Sequence, residues 1–113
     1  MKSDPIMLHD AVRHATEALA SRINEFAAYV RKDLRAAAMM LDRAIEKAMS
    51  PDAQLSDVTD AAISVRAVAI ASDRELQVKD FEMLKRLGGR ISELDDGDMV
   101  AAVTALVACR VRL

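Results

Sequence analysis

The sequence predicts an all-α fold, and three observations lead to that prediction. Hydrophobic residues make up 52% of the 113-residue chain, and three Gly and two Pro leave few places for turns. Ala, Leu, Glu, Lys and Arg together supply close to half of all residues, as is typical of coiled coils and long helices. Apolar residues also recur at helical spacing over long stretches. The length fits a single helical domain, 1–113, with one core.

The first helix is predicted over residues 5–49, because no Gly or Pro follows Pro5 until residue 51. Its apolar residues recur at steps of 4, 3 and 4, an 11-residue period that keeps their stripe nearly straight along a helix. A continuous helix of this length would measure about 67 Å. The positions most prone to a kink are Asn24 and the alanines at 36–38. We call the larger members of this stripe the seam and expect them to pack within the chain: Leu19, Ile23, Phe26, Val30, Leu34 and Leu41.

The second helix is predicted at about 57–87, with Ser56 as its N-cap and the Gly pair at 88–89 as its end. The polar connection before it is short enough to turn this helix back antiparallel to the first, which gives an elongated helical hairpin. A capping-box pattern from Ser72 to Glu75 leaves open a split into two helices. The apolar residues lie on two nearly opposite sides, so both sides need to be covered.

The last helix is predicted at about 99–111, after an acidic turn that ends in Asp98 as the N-cap. It is apolar on nearly every side and therefore needs burial all round. An elongated chain of this size has much surface for its volume, so we expect a homo-oligomer, with a dimer favoured, that completes the bundle. The candidate contacts to the oligomer or to another protein are Ile63, Ile70, Phe81, Val103, Leu106 and Val107.

The sequence carries no motif that predicts an enzyme, a metal site or a cofactor. It lacks a Gly-rich phosphate loop and a nucleophile elbow. Asp10, His14 and Glu17 share one helix face, but in the reverse order to di-iron bundles and without a repeat, which favours a solvated charged face. The acidic turn lacks the ligand spacing of a calcium loop. Cys109, the sole cysteine, is expected to be a small buried hydrophobe.

The expected setting is the cytoplasm, without a membrane anchor. A single cysteine fits a reducing compartment. The charged N-terminal region does not resemble a signal peptide, and the apolar run at 100–109 is too short to span a bilayer.

We therefore predict a non-enzymatic, self-associating scaffold, adaptor or chaperone-like module, whose helices include a coiled-coil seam. The alternative is a small nucleic-acid-binding or DNA-packaging accessory protein that uses basic patches on a helical dimer. Its candidate contacts are Arg31, Lys32 and Arg35, but Asp33 interrupts them and the net charge of the chain is −2. A second basic cluster comprises Lys79, Lys85, Arg86 and Arg90, again with acidic residues between them.

Overall fold

The computed structural model describes residues 5–73 and 75–110, with side chains from His9 onward. The described residues form helices and no strand, which confirms the all-α fold. The principal dimensions are 49 × 29 × 22 Å, so the bundle is elongated. In chain order the helices are α1 (Pro5–Lys32), α2 (Leu34–Ala48), α3 (Leu55–Ala71), α4 (Val78–Gly89), the single turn α5 (Ile91–Leu94) and α6 (Met99–Ala108).

The predicted helix over 5–49 is in fact two helices, because the chain bends at Asp33 between α1 and α2. Asp33 has φ −147° and ψ 89°, outside helical geometry, and its carboxylate accepts a hydrogen bond from the Ala36 N–H at 3.0 Å. A side chain that caps a new helix in this way competes with the continuous helical ladder. The break lies neither at Asn24 nor at 36–38. As a result the longest dimension is 49 Å, shorter than a rod of about 67 Å.

The predicted antiparallel hairpin forms between α2 and α3. The turn is closed by the Ala53 N–H, which donates to the Ser50 carbonyl oxygen. Gln54 precedes α3, and its N–H donates to the Asp57 carboxylate at 2.8 Å. This capping contact starts the helix at Leu55 and not at the predicted residue 57, because Gln54 and not Ser56 is the N-cap.

The central element of the bundle is α3, which packs against α1, α2, α4 and α6. Its Val58, Ala61 and Ala62 side chains are fully buried. Small alanine side chains let neighbouring helices approach closely, since the interaxial distance depends on the residues at the contact. The chain itself therefore covers most of both apolar sides that the sequence assigns to this helix.

The predicted helix over 57–87 is divided into α3 and α4. Asp73 has φ 51°, a left-handed conformation that ends a helix. The next helix begins after Gln77, whose N–H donates to the Asp80 carboxylate at 2.9 Å. The split left open by the sequence is therefore present, but the capping box runs from Gln77 to Asp80 and not from Ser72 to Glu75.

Two predicted helix ends also differ from the structure. The helix α4 continues through both glycines to Gly89, where the Arg90 N–H still bonds to the Leu87 carbonyl oxygen. The last helix ends at Ala108, earlier than the predicted residue 111, which lies outside the described residues. Arg66 from α3 caps this end, since it donates hydrogen bonds to the carbonyl oxygens of Ala108 and Arg110.

Candidate interaction surface

An acidic turn fixes the start of α6. The Asp95 carboxylate accepts the Gly97 N–H at 2.9 Å, the Asp96 carboxylate accepts the Asp98 N–H at 3.0 Å, and the Asp98 carboxylate accepts the Ala101 N–H at 3.1 Å. Gly97 has φ 93°, which a residue with a Cβ rarely adopts. These three carboxylates therefore shape the turn and cap the helix, and they also place negative charge at its N-terminal end.

The helix α6 has a buried side and an exposed side, although both are apolar. Ala105, Ala108 and Cys109 are buried against the rest of the bundle. On the other side Met99 is 66% exposed, Val100 75% and Leu106 62%. Spacings of three and four residues place these side chains and two half-buried valines along one stripe. We call this stripe the α6 outer face; it consists of Met99, Val100, Val103, Leu106 and Val107.

The C-terminal end of α6 is held by Arg66. The Arg66 Nε donates to the Ala108 carbonyl oxygen at 2.9 Å, and its Nη2 donates to the Arg110 carbonyl oxygen. Burial lowers the pKa of Arg66, an effect that the neighbouring Cys109 partly offsets. The cation lies at the negative end of the helix dipole, which favours its charged form. Arg66 thereby anchors α6 to α3.

Cys109 lies under this anchor and is 5% exposed. Burial raises the pKa of its thiol from 9.0 to about 11, and the Arg66 charge acts in the opposite direction. We expect iodoacetamide to alkylate the folded protein at pH 8 about 100-fold more slowly than an unshielded thiol, because the thiolate is the nucleophile. The rate should rise with pH towards 11 and recover fully in denaturant. Rapid alkylation of the folded chain at pH 8 would contradict the buried placement.

Most of the predicted seam packs inside the chain. Leu19 is 3% exposed and Val30 is fully buried, while Ile23, Phe26 and Leu41 are half-buried. Leu34 departs from the prediction, since it is 61% exposed. The reason is the break at the preceding residue, which makes Leu34 the first residue of a new helix and turns it away from the core.

The structure separates the predicted oligomer contacts into three environments. Ile63 is 5% exposed and belongs to the core of its own chain, so the prediction that it contacts a partner is wrong. Ile70 is 41% exposed and Phe81 is half-buried; both line a groove beside α3. Val103, Leu106 and Val107 lie on the α6 outer face. Met99 and Val100 are not among the predicted contacts, although they are more exposed than any of them.

The basic residues predicted for nucleic-acid contact lie at the corner between α1 and α2. Arg31, Lys32 and Arg35 are exposed there, and the Arg31 Nη2 donates to the Ile70 carbonyl oxygen at 3.5 Å. The second basic cluster is reduced, because Arg90 is bound inside the bundle. Its guanidinium donates to the Ala48 carbonyl oxygen at 3.2 Å and to the Ser50 carbonyl oxygen at 2.8 Å.

The fold and the α6 outer face define a small helical-bundle protein with an unpartnered apolar surface. No protein-family model, curated protein or solved structure matches this chain. Within residues 5–73 and 75–110, no helix combines the length and apolar character that a membrane span needs. The same described residues contain no group of three or more His, Cys, Asp or Glu side chains arranged to hold a metal ion.

Proposed function

We propose that this chain is a non-enzymatic scaffold or adaptor that associates with a second copy of itself through the α6 outer face. The observation that carries the proposal is the exposure of three large apolar side chains on one short helix: Met99, Val100 and Leu106. Covering a contiguous apolar stripe of this kind with a second apolar surface removes it from water, which is favourable in free energy. Self-association supplies such a surface without a further protein.

The charges at the two ends of α6 support an antiparallel arrangement of the two copies. Asp95 and Asp96 precede the helix, and Arg110 follows it. A two-fold axis near Val103 would place the acidic end of each α6 opposite the basic end of its partner, and every contact would occur twice. The helix dipoles would also oppose each other. Both effects favour this arrangement over a parallel one.

The test compares two exposed leucines with almost the same accessibility. Leu106→Lys places a charge on the α6 outer face, so we expect the dimer dissociation constant to rise about 30-fold, as for a central contact of an interface. Leu34, which is 61% exposed at the α1–α2 corner, provides the matched control. Leu34→Lys should leave the dissociation constant unchanged in analytical ultracentrifugation.

Two outcomes would contradict this proposal. The first is a wild-type chain that remains monomeric at about 100 µM, and even at about tenfold higher concentration, because a specific dimer should form at far lower protein concentrations. The second is equal weakening of the dimer by both lysine substitutions. Circular dichroism spectra that match the wild type would show that each variant is folded.

Nucleic-acid binding is the second candidate function, and exposure of Arg31, Lys32 and Arg35 on one corner supports it. A dimer would carry this group twice. Asp33 lies among these cations and the net charge is −2, so the electrostatic attraction for phosphate is weaker than in a dedicated binding protein. Salt-sensitive binding of duplex DNA would distinguish this function from the scaffold.

A further inference from the structure

A groove runs beside α3, between α1 and the end of α6. Two adjoining cavities of about 360 and 500 Å³ form it, and they share the side chains of Ile23, Arg66, Leu76 and Phe81. We call the combined space the Arg66 groove. Its size lies in the range of small-molecule sites, about 300–1,000 Å³, which are mostly apolar with a few placed polar groups.

The composition of the groove changes along its length. Near α6 its lining includes Leu19, Val107 and Arg110, so a second cation stands close to Arg66. At the other end the lining includes Ile70 and the carboxylate of Glu75. Because Arg66 and the apolar side chains of Ile23, Leu76 and Phe81 line both cavities, they lie in the shared part of the groove, with Arg110 in one cavity only and Glu75 in the other only.

Arg66 is a half-buried cation whose bonds leave donors available. A guanidinium has five N–H groups. In Arg66 an N–H on Nε donates to the Ala108 carbonyl oxygen, and one on Nη2 donates to the Arg110 carbonyl oxygen. Both acceptors are neutral carbonyl oxygens. A half-buried cation gains more from an acceptor that carries a negative charge. A ligand carboxylate would supply that charge and take up the free donors.

We infer that the Arg66 groove binds a free fatty acid, with its carboxylate on Arg66 and its aliphatic chain along Ile23, Leu76 and Phe81. Charge complementarity fixes the head group: the two arginines attract an anion and repel a cationic amphiphile. The groove shares Val107 with the α6 outer face, and its other lining residues lie outside that face.

The test uses two amphiphiles with the same tail, dodecanoate and dodecyltrimethylammonium, titrated below their micelle concentrations into the full chain by calorimetry. Dodecanoate should bind at least about tenfold more tightly, the effect of one charge-assisted hydrogen bond. Phe81→Ala should weaken dodecanoate binding about fivefold, since the ring covers part of the tail. The matched control is Leu34→Lys at the α1–α2 corner, which should retain wild-type affinity because Leu34 does not line the groove.

Arg66→Met should abolish the preference between the two amphiphiles. Because Arg66 also caps α6, the Phe81→Ala variant and the comparison of head groups in the wild-type chain test the inference without disturbing that cap. Absence of dodecanoate binding, equal affinity for the two amphiphiles, or full binding by Phe81→Ala would overturn it. Equal weakening of dodecanoate binding by Leu34→Lys and Phe81→Ala would also overturn it.

Discussion

The Ala62→Leu variant should unfold with a free energy about 3 kcal/mol lower than the wild-type chain, near the upper end for overpacking of a core. Ala62 is fully buried on α3, the helix that contacts α1, α2, α4 and α6. A leucine there must displace neighbouring helices that already surround the site. Urea unfolding monitored by circular dichroism would measure the change.

The control for this prediction is the same substitution on an exposed face. Ala28 lies on α1 and is exposed, and leucine is nearly as favourable in a helix as alanine. Ala28→Leu should therefore change the free energy of unfolding by less than about 0.5 kcal/mol. If the two variants lose equal stability, α3 is not the packed centre of the fold.

Arg90→Met should lower the free energy of unfolding by about 2 kcal/mol, because it removes hydrogen bonds from a charged donor to two carbonyl oxygens. The Arg90 side chain is 19% exposed and joins the end of α4 to the α2–α3 turn through Ala48 and Ser50. Methionine retains an apolar stem of similar length, so the loss reports mainly on the guanidinium. Thermal and urea unfolding should agree on the direction.

Two further substitutions separate charge from hydrogen-bond geometry at this position. Arg90→Lys keeps the charge but replaces the planar fork by a single ammonium, so it should restore only part of the stability. Arg86→Met, on the exposed side of α4, should have almost no effect. If Arg86→Met and Arg90→Met lower the free energy of unfolding equally, the effect comes from the loss of one positive charge and not from the contact of Arg90 with the α2–α3 turn.

Arg66 and Arg90 act in the same way at two places in the fold. Arg66, on α3, donates to a carbonyl oxygen at the C-terminal end of α6. Arg90, directly after α4, donates to a carbonyl oxygen at the C-terminal end of α2. Carbonyl groups at a helix end lack partners within the helix, and a cation there also complements the dipole. Neither role could be predicted from the sequence, which places Arg90 only in a basic cluster, because the partners of both arginines lie about 40 residues away in the chain.

The 11-residue period in the first part of the chain identified a real buried stripe. Leu19, Val30, Ala37 and Ala48 all follow it and are buried. The stripe persists across the break at Asp33 because both α1 and α2 pack against α3. The break itself was not predicted, since an Asp in a long helix is usually compatible with continued helix and only its capping contact reveals the bend.

The candidate surface was predicted only in part. The apolar composition of residues 99–108 indicated that the last helix needs burial, and the acidic turn before it supplied the predicted N-cap at Asp98. Which side of that helix faces the bundle did not follow from the sequence, because all its sides are apolar. The buried alanines and the exposed Met99, Val100 and Leu106 are distinguished only by their contacts.

The all-α class, the periodic stripe and several local helix signals could be predicted from the sequence, because they depend on residues within one or two helical turns of each other. The central position of α3, the exposure of Leu34 and Leu106 and the structural roles of the two arginines follow only from the packing of the helices. These properties depend on contacts between distant segments, such as Arg66 with the end of α6. Helical periodicity identifies an apolar face, but burial of that face depends on which other helix packs against it.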